Sequence, residues 1–134
     1  MVAYSFKAQF RAPILTGTKR QTIRADRKRH ARPGEQVQLY TGMRTRGCSL
    51  IGTAVCAIVL PVRVGVRDRF VAIGSNFILP DALDGFARDD GFADWLAMAA
   101  FWRAEHPDQH WFIGVLIAWR DFAPALPSSA APAP

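Results

Sequence analysis

Lys19 and Thr22 stand three residues apart, and Arg24 follows two further on, in the run GTKRQTIR over residues 17–24. That spacing could do acyl-transfer chemistry. A lysine amine kept neutral by partial burial or by neighbouring cations can accept a proton from a threonine hydroxyl, and this stretch is crowded with cations. On a strand over residues 21–25, Thr22 and Arg24 point to one face, and Lys19 sits at the strand entry. A plainer alternative stands beside this one: Thr22 as an ordinary strand residue and Lys19 in solvent. The acidic candidates are Asp81, Asp84, Asp89, Asp90 and Asp94. Asp89 and Asp90 precede a helical pattern. That place suits an N-cap that complements the helix dipole, or carboxylates that face a basic pocket. Tyr40 closes a strand beside a second basic loop, where it either stacks on a base or fills the core.

Other chemistries lack their patterns. The chain has no GxSxG elbow, no GxGxxG and no glycine-rich phosphate loop. His106 and His110 are four apart with Pro107 between them, His30 is distant, and Cys48 and Cys56 are eight apart. No spacing matches zinc, so neither a metal nor any other cofactor is expected. The cysteines read as free thiols of a reducing compartment. No signal peptide opens the chain and no run approaches 18 uncharged apolar residues. The expected place is the cytoplasm, with no membrane partner. Oligomeric state is left open between a monomer and a weak dimer.

Charge is placed unevenly. Of a net +6, residues 1–46 carry eleven Lys and Arg against Asp26 and Glu35, a balance of +9, and residues 47–134 balance at −3. Basic loops at 24–32 and 44–46 therefore suggest a polyanion, most simply a nucleotide or RNA, with a solvated surface as the alternative.

The elements that must position these residues follow from periodicity. Residues 2–10 are rich in aromatics and read as a first strand. Residues 10–16 read as a short helix ending at Gly17. Strands are expected at 21–25, 36–41, 49–60, 62–66 and 70–79, helices at 80–87 and 92–104, and a last strand at 111–119. One domain over residues 1–122 is expected to be followed by a disordered Pro/Ala-rich tail, 123–134. The fold class is α+β: a partly closed five- to six-stranded β-barrel with two or three short flanking helices.

The order of motifs resembles the ASCH domain family. Gly17-Thr18-Lys19, Thr22-Ile23-Arg24, Pro33-Gly34-Glu35, the strand 37–40, Phe86-Ala87, Asp89-Asp90-Gly91-Phe92 and the last strand 114–119 occur in the family's sequence order. The resemblance implies a PUA-like barrel with a cleft for RNA or a nucleoside. Some members of the family are small amidohydrolases that remove the acyl group from N4-acetylcytidine, and this chain resembles them. Their Lys-x-x-Thr pair and a carboxylate before a helix form the catalytic set, which implies Lys19, Thr22 and Asp90 here. Those enzymes carry a glutamate at the last position; this chain has an aspartate, with Asp89 beside it. In that reading Lys19 takes the Thr22 proton, Thr22 attacks the acyl carbonyl, and Asp90 returns a proton to the leaving N4 amine. Arg24, Tyr40, Asp89 and Arg44 contact substrate. Other family members bind or cleave RNA, so the resemblance equally implies an RNA-binding module, with or without ribonuclease activity.

Overall fold

A computed structural model describes residues 1–125. The class is α+β as expected, but the sheet has seven strands and is not closed. Strand β1 (Val2–Phe6) is followed by a 3-10 turn, Ala8–Phe10, and helix α1 (Arg11–Thr16). Then come β2 (Gln21–Arg24), β3 (Gln36–Thr41), β4 (Ser49–Gly65) and the hairpin β5 (Phe70–Ile73) and β6 (Asn76–Phe77). A 3-10 turn at Pro80–Ala82 leads into α2 (Leu83–Asp89), then α3 (Trp95–Glu105) and β7 (Trp111–Pro124). Ala123 and Pro124 pair with β4. The remainder of the expected tail, from residue 126, lies outside the described residues.

Strand β4 organises the sheet. Its first half pairs with β3 and its last residues with β5, while β7 runs antiparallel along the opposite edge. The sequence predicts two strands here, broken at Pro61; the structure has one of 17 residues. The Pro61 carbonyl accepts from Gly74 N–H at 2.8 Å, just past the end of β5. Carbonyl and amide of one strand residue point the same way, so the missing N–H of Pro61 faces the interval between β3 and β5. No ladder bond is lost there.

Strand β1 lies parallel to β3, and among the described residues β2 pairs only with β7. The edges of β1 and β2 therefore face each other without a ladder between them. Tyr4, Val37, Leu39, Ile51, Cys56 and Ile117 lie in the core beneath the curled sheet, each 1% exposed or less. Helix α3 joins that core through Trp95, Met98 and Trp102. Phe10, Phe92 and Phe101 meet pairwise at 5.2–5.5 Å between ring centroids. Such aromatic pairs add about 0.5–1.5 kcal/mol each beyond their buried area, and this trio locks α3 against the turn before α1.

Candidate active-site cleft

The cleft opens where β1 and β2 fail to pair. Helix α1 stops at Gly17, whose φ of +85° is the left-handed conformation that a glycine adopts without strain. Lys19 N–H then bonds back to the Pro13 carbonyl at 3.0 Å. That fold-back turns the Lys19 side chain inward before β2 begins. Thr22 and Arg24 follow on one face of β2.

Lys19, Thr22 and Arg24 line one cavity of about 230 Å³, walled by Phe6, Phe10 and Trp102. Lys19 is 3% exposed and Thr22 4%. The plain alternative of a solvated lysine therefore does not hold. Lys19 Nζ donates to the backbone carbonyl of Asp90 at 2.6 Å and lies 3.7 Å from Asp90 Oδ1. It also sits 4.7 Å from the Phe10 ring centroid and 5.5 Å from that of Phe6. Arg24 Nε donates to Thr22 Oγ1 at 2.9 Å, and Arg24 Nη2 donates to the Ser5 carbonyl on β1 at 2.6 Å. A side chain, not a ladder, thus ties the two facing edges. No hydrogen bond joins Lys19 Nζ to Thr22 Oγ1 among the described residues.

Burial sets the electrostatics. It pulls the Lys19 ammonium below its ordinary 10.5, with Asp90 opposing and Arg24 assisting. Burial pushes the Asp90 carboxyl up to about 6, against the pull of Lys19, Gln21 and Arg24. Arg24 is lowered to about 10, again by burial first, and stays charged at neutral pH. Its guanidinium lies 4.7 Å from the Phe6 centroid and 5.4 Å from that of Tyr4, which offsets part of the lost hydration.

Asp90 is not an N-cap. It follows the last turn of α2, and its N–H bonds back to Phe86 and Ala87 carbonyls. The cap of α3 is Asp94, which accepts from Ala97 N–H at 2.9 Å. Asp90 is 4% exposed, does not line the cleft, and leaves Oδ1 without a hydrogen-bond partner among the described residues. Gly91 beside it has a φ of +96°, and a Cβ there would come within 2.9 Å of Lys19 Cδ. Asp89 is exposed and paired with Arg20 at 2.6 Å, away from the cleft.

Tyr40 is half-buried on the face of β3 opposite Leu39 and does not line the cleft. The two basic loops differ. In residues 26–32, Arg27 covers the Tyr4 ring at 4.8 Å, Arg29 pairs with Glu35, and His30 bonds to Tyr4 Oη at 3.0 Å. Arg44 and Arg46 are exposed, and no carboxylate reaches either among the described residues. The sequence reading missed Phe6, Phe10, Gln21, Trp102, Lys7, Glu105 and His106. The aromatics carry no local signal of a site, because they come together only through the fold. Gln21 stands one residue from Thr22, but only burial distinguishes it.

The sequence matches no family model and no curated protein. Among solved structures, the fold matches the ASCH protein of Zymomonas mobilis, at 15% identity and a TM-score of 0.56, over 91% of this chain and 68% of that one. A tyrosine-to-phenylalanine variant of that protein matches at 15% identity and a TM-score of 0.55, over 91% of this chain and 70% of that one. A serine-to-alanine variant matches at 16% identity and a TM-score of 0.55, over 91% and 68%. The chain has the ASCH-domain fold.

Proposed function

We propose that this protein is an amidohydrolase that removes the acyl group from N4-acylated cytosine nucleosides such as N4-acetylcytidine. One observation carries the reading. A buried lysine with a depressed pKa shares a small cleft with a threonine whose hydroxyl oxygen is held by an arginine. Because Thr22 Oγ1 accepts from Arg24, its own proton is free to leave. The same burial favours loss of the Lys19 proton, and in its neutral form the amine keeps a lone pair while donating to the Asp90 carbonyl.

Thr22 Oγ1 attacks the acyl carbon, and its proton passes to Lys19 Nζ. Hydrogen bonds of this kind are often long before substrate binds and close in the complex. The oxyanion develops beside the Arg24 guanidinium. When the carbon–nitrogen bond breaks, the Lys19 ammonium returns its proton to N4, releasing the cytosine nucleoside. Lys19 then takes a proton from the water that attacks the Thr22 ester and returns it to Thr22 Oγ1 as the carbon–oxygen bond breaks, so the carboxylic acid departs and the hydroxyl and neutral amine are restored. Asp90 touches no reacting atom in this scheme. It is a positioning residue that acts through Lys19, in place of the direct proton donor expected from sequence. The protein's cytoplasmic place is part of the same reading.

The test is hydrolysis of N4-acetylcytidine by wild type, Thr22→Ala and Thr22→Ser, with melting curves for each. Thr22→Ala is expected to lose at least ~10²-fold in kcat while staying folded, and Thr22→Ser to keep part of the activity. A folded Thr22→Ala variant with normal kcat removes Thr22 from the chemistry.

The second reading, an RNA-binding module, is favoured by the unpaired Arg44 and Arg46. It requires affinity for single-stranded RNA that falls with salt at a log–log slope of roughly −0.7 per phosphate contact. Salt-independent binding sets it aside.

A further inference from the structure

The 230 Å³ cleft is smaller than the ~300–1,000 Å³ of usual ligand sites. It has room for an acylated base, but the rest of a nucleoside must leave it somewhere. A second cavity of about 470 Å³ adjoins it and shares Ser5, Phe6 and Lys7 with it. Its far wall is Thr41, Gly42, Thr45 and Gly47, the loop that carries Arg44 and Arg46.

Ser5 couples the two spaces physically. Its carbonyl accepts from Arg24 in the cleft, and its hydroxyl accepts from Met43 N–H in the loop at 3.2 Å. The loop is built stiffly. Thr45 Oγ1 donates to the Gly42 carbonyl at 2.6 Å and accepts from Gly47 N–H at 3.1 Å. Thr45 N–H also bonds the Gly42 carbonyl, and Cys48 N–H the Thr45 carbonyl. A Cβ on Gly42, at a φ of +65°, would meet Gly47 O and Thr45 Oγ1 at 3.0 Å. Arg44 itself holds a φ of +67°, a strained position for a non-glycine residue. The strained, rigid loop that walls this cavity carries two exposed arginines, and the cavity lining contains hydroxyls, glycines and Lys7 but no carboxylate. A carboxylate, Glu105, lines the adjoining cleft, where Lys7 pairs with it at 3.4 Å.

We propose that this second cavity is a phosphate subsite, and that the favoured substrate is an N4-acylated cytidine carrying a phosphate on its sugar. The proposal rests on the amidohydrolase reading. The base enters the cleft with its acyl group at Thr22, the ribose crosses over Ser5, and the phosphate meets Arg44 and Arg46. Arginine suits this role because its planar fork matches phosphate oxygens two at a time.

The experiment compares kcat/KM for N4-acetylcytidine and its 5′-monophosphate, in wild type and in Arg44→Ala/Arg46→Ala. The monophosphate is expected to be preferred by at least ~10-fold, chiefly through KM, and the preference to collapse toward unity in the double variant. Equal values for the two substrates in wild type, or a preference untouched by the substitutions, overturns the subsite and leaves the amidohydrolase standing. If neither compound is hydrolysed, the amidohydrolase reading falls and binding decides. Cytidine 5′-monophosphate must then bind at least ~10-fold tighter than cytidine, with the difference lost in the double variant, and equal affinities overturn the subsite. A third arm uses a short oligoribonucleotide with an internal N4-acetylcytidine. Faster turnover of that strand than of the monophosphate, with a salt slope for more than one phosphate, supports the subsite and assigns its phosphate to RNA.

Discussion

Lys19 and Arg20 are neighbours in the chain, as are Asp89 and Asp90, and the four pair across the fold in two environments. Arg20 meets Asp89 at 2.6 Å with side chains 62% and 40% exposed. Lys19 stands 3.7 Å from Asp90 Oδ1 with side chains 3% and 6% exposed. The shorter pair is the weaker determinant. An exposed pair sits in high dielectric and contributes about 0–1 kcal/mol. The buried pair has given up hydration on both sides, and burial is the leading cause of both displaced pKa values. Distance alone would rank the two pairs backwards. Desolvation, not proximity, is what weakens the hold of the Lys19 amine on its proton.

The strongest way to break the contrast is Lys19→Met, which keeps the apolar stem between Phe6 and Phe10 and deletes the amine. Turnover of N4-acetylcytidine is expected to fall by at least ~10²-fold. Stability at neutral pH is expected to fall by about 3–5 kcal/mol, because a buried carboxylate is left unpaired. Denaturant melts beside steady-state kinetics check both. Unchanged turnover would sink the role given to Lys19.

The next variant sharpens the same point. Lys19→Met/Asp90→Leu removes both buried charges and is expected to recover the lost stability, ending between equal to wild type and about 1–4 kcal/mol above it. It should remain inactive. If the double variant is no more stable than Lys19→Met alone, the buried pair is not the liability argued for here.

A third test uses pH. Asp90 is pushed up to about 6 from 3.8, so the folded chain holds this proton more tightly than the unfolded one. Its contribution to stability is fully present below about 3.8 and is lost as pH rises through about 6. Lys19 has the opposite displacement: the folded chain releases its proton more readily, so its cost diminishes as pH rises toward 10.5. Denaturation at a series of pH values is expected to show stability from this site declining between pH 4 and 6 in wild type, and Asp90→Asn is expected to flatten that decline. A decline of equal size in Asp90→Asn would assign the titration to another group.

These residues also show what could be read without coordinates. The Lys-x-x-Thr spacing and the Gly17 stop are local, and local signals survive in a sequence. The alternation of β3 and the apolar run of β4 likewise announced strands. Pro61 misled because its cost depends on which edge of β4 its missing N–H faces, and that edge is set by partners far along the chain. Asp89 and Asp90 look like a helix cap from their position before an apolar periodic segment. Gly91, in the left-handed conformation, ends α2 there instead and passes the cap to Asp94. The environment of Lys19 was out of reach altogether. Its hydrogen-bond partner is 71 residues away, and the rings that desolvate it come from β1 and the turn after it. Net charge was the least faithful guide. In residues 26–32 the Arg27 and Arg29 side chains are engaged with Tyr4 and Glu35, whereas those of Lys28, Arg32 and the less conspicuous Arg44 and Arg46 meet no carboxylate among the described residues.

The smallest expected effect belongs to the exposed pair. Arg20 and Asp89 are also joined through the backbone, Arg20 N–H to the Asp89 carbonyl at 2.8 Å, and Arg20 O accepts from Trp119 N–H at 3.0 Å. Those bonds hold the end of α2 to the entry of β2 whatever the side chains are. Asp89→Asn is therefore expected to change stability by no more than about 1 kcal/mol, and by less in high salt, where exposed charges are screened. Turnover should stay within about two-fold, since the Asp89 side chain is absent from the cleft and far weaker than the buried pair as a determinant. Parallel measurements on Asp89→Asn and Asp90→Asn, two adjacent residues with the same substitution, put the whole contrast into one experiment. If Asp89→Asn cost as much activity as Asp90→Asn, the carboxylate that matters would be the exposed one, and burial would lose its place as the cause of the chemistry.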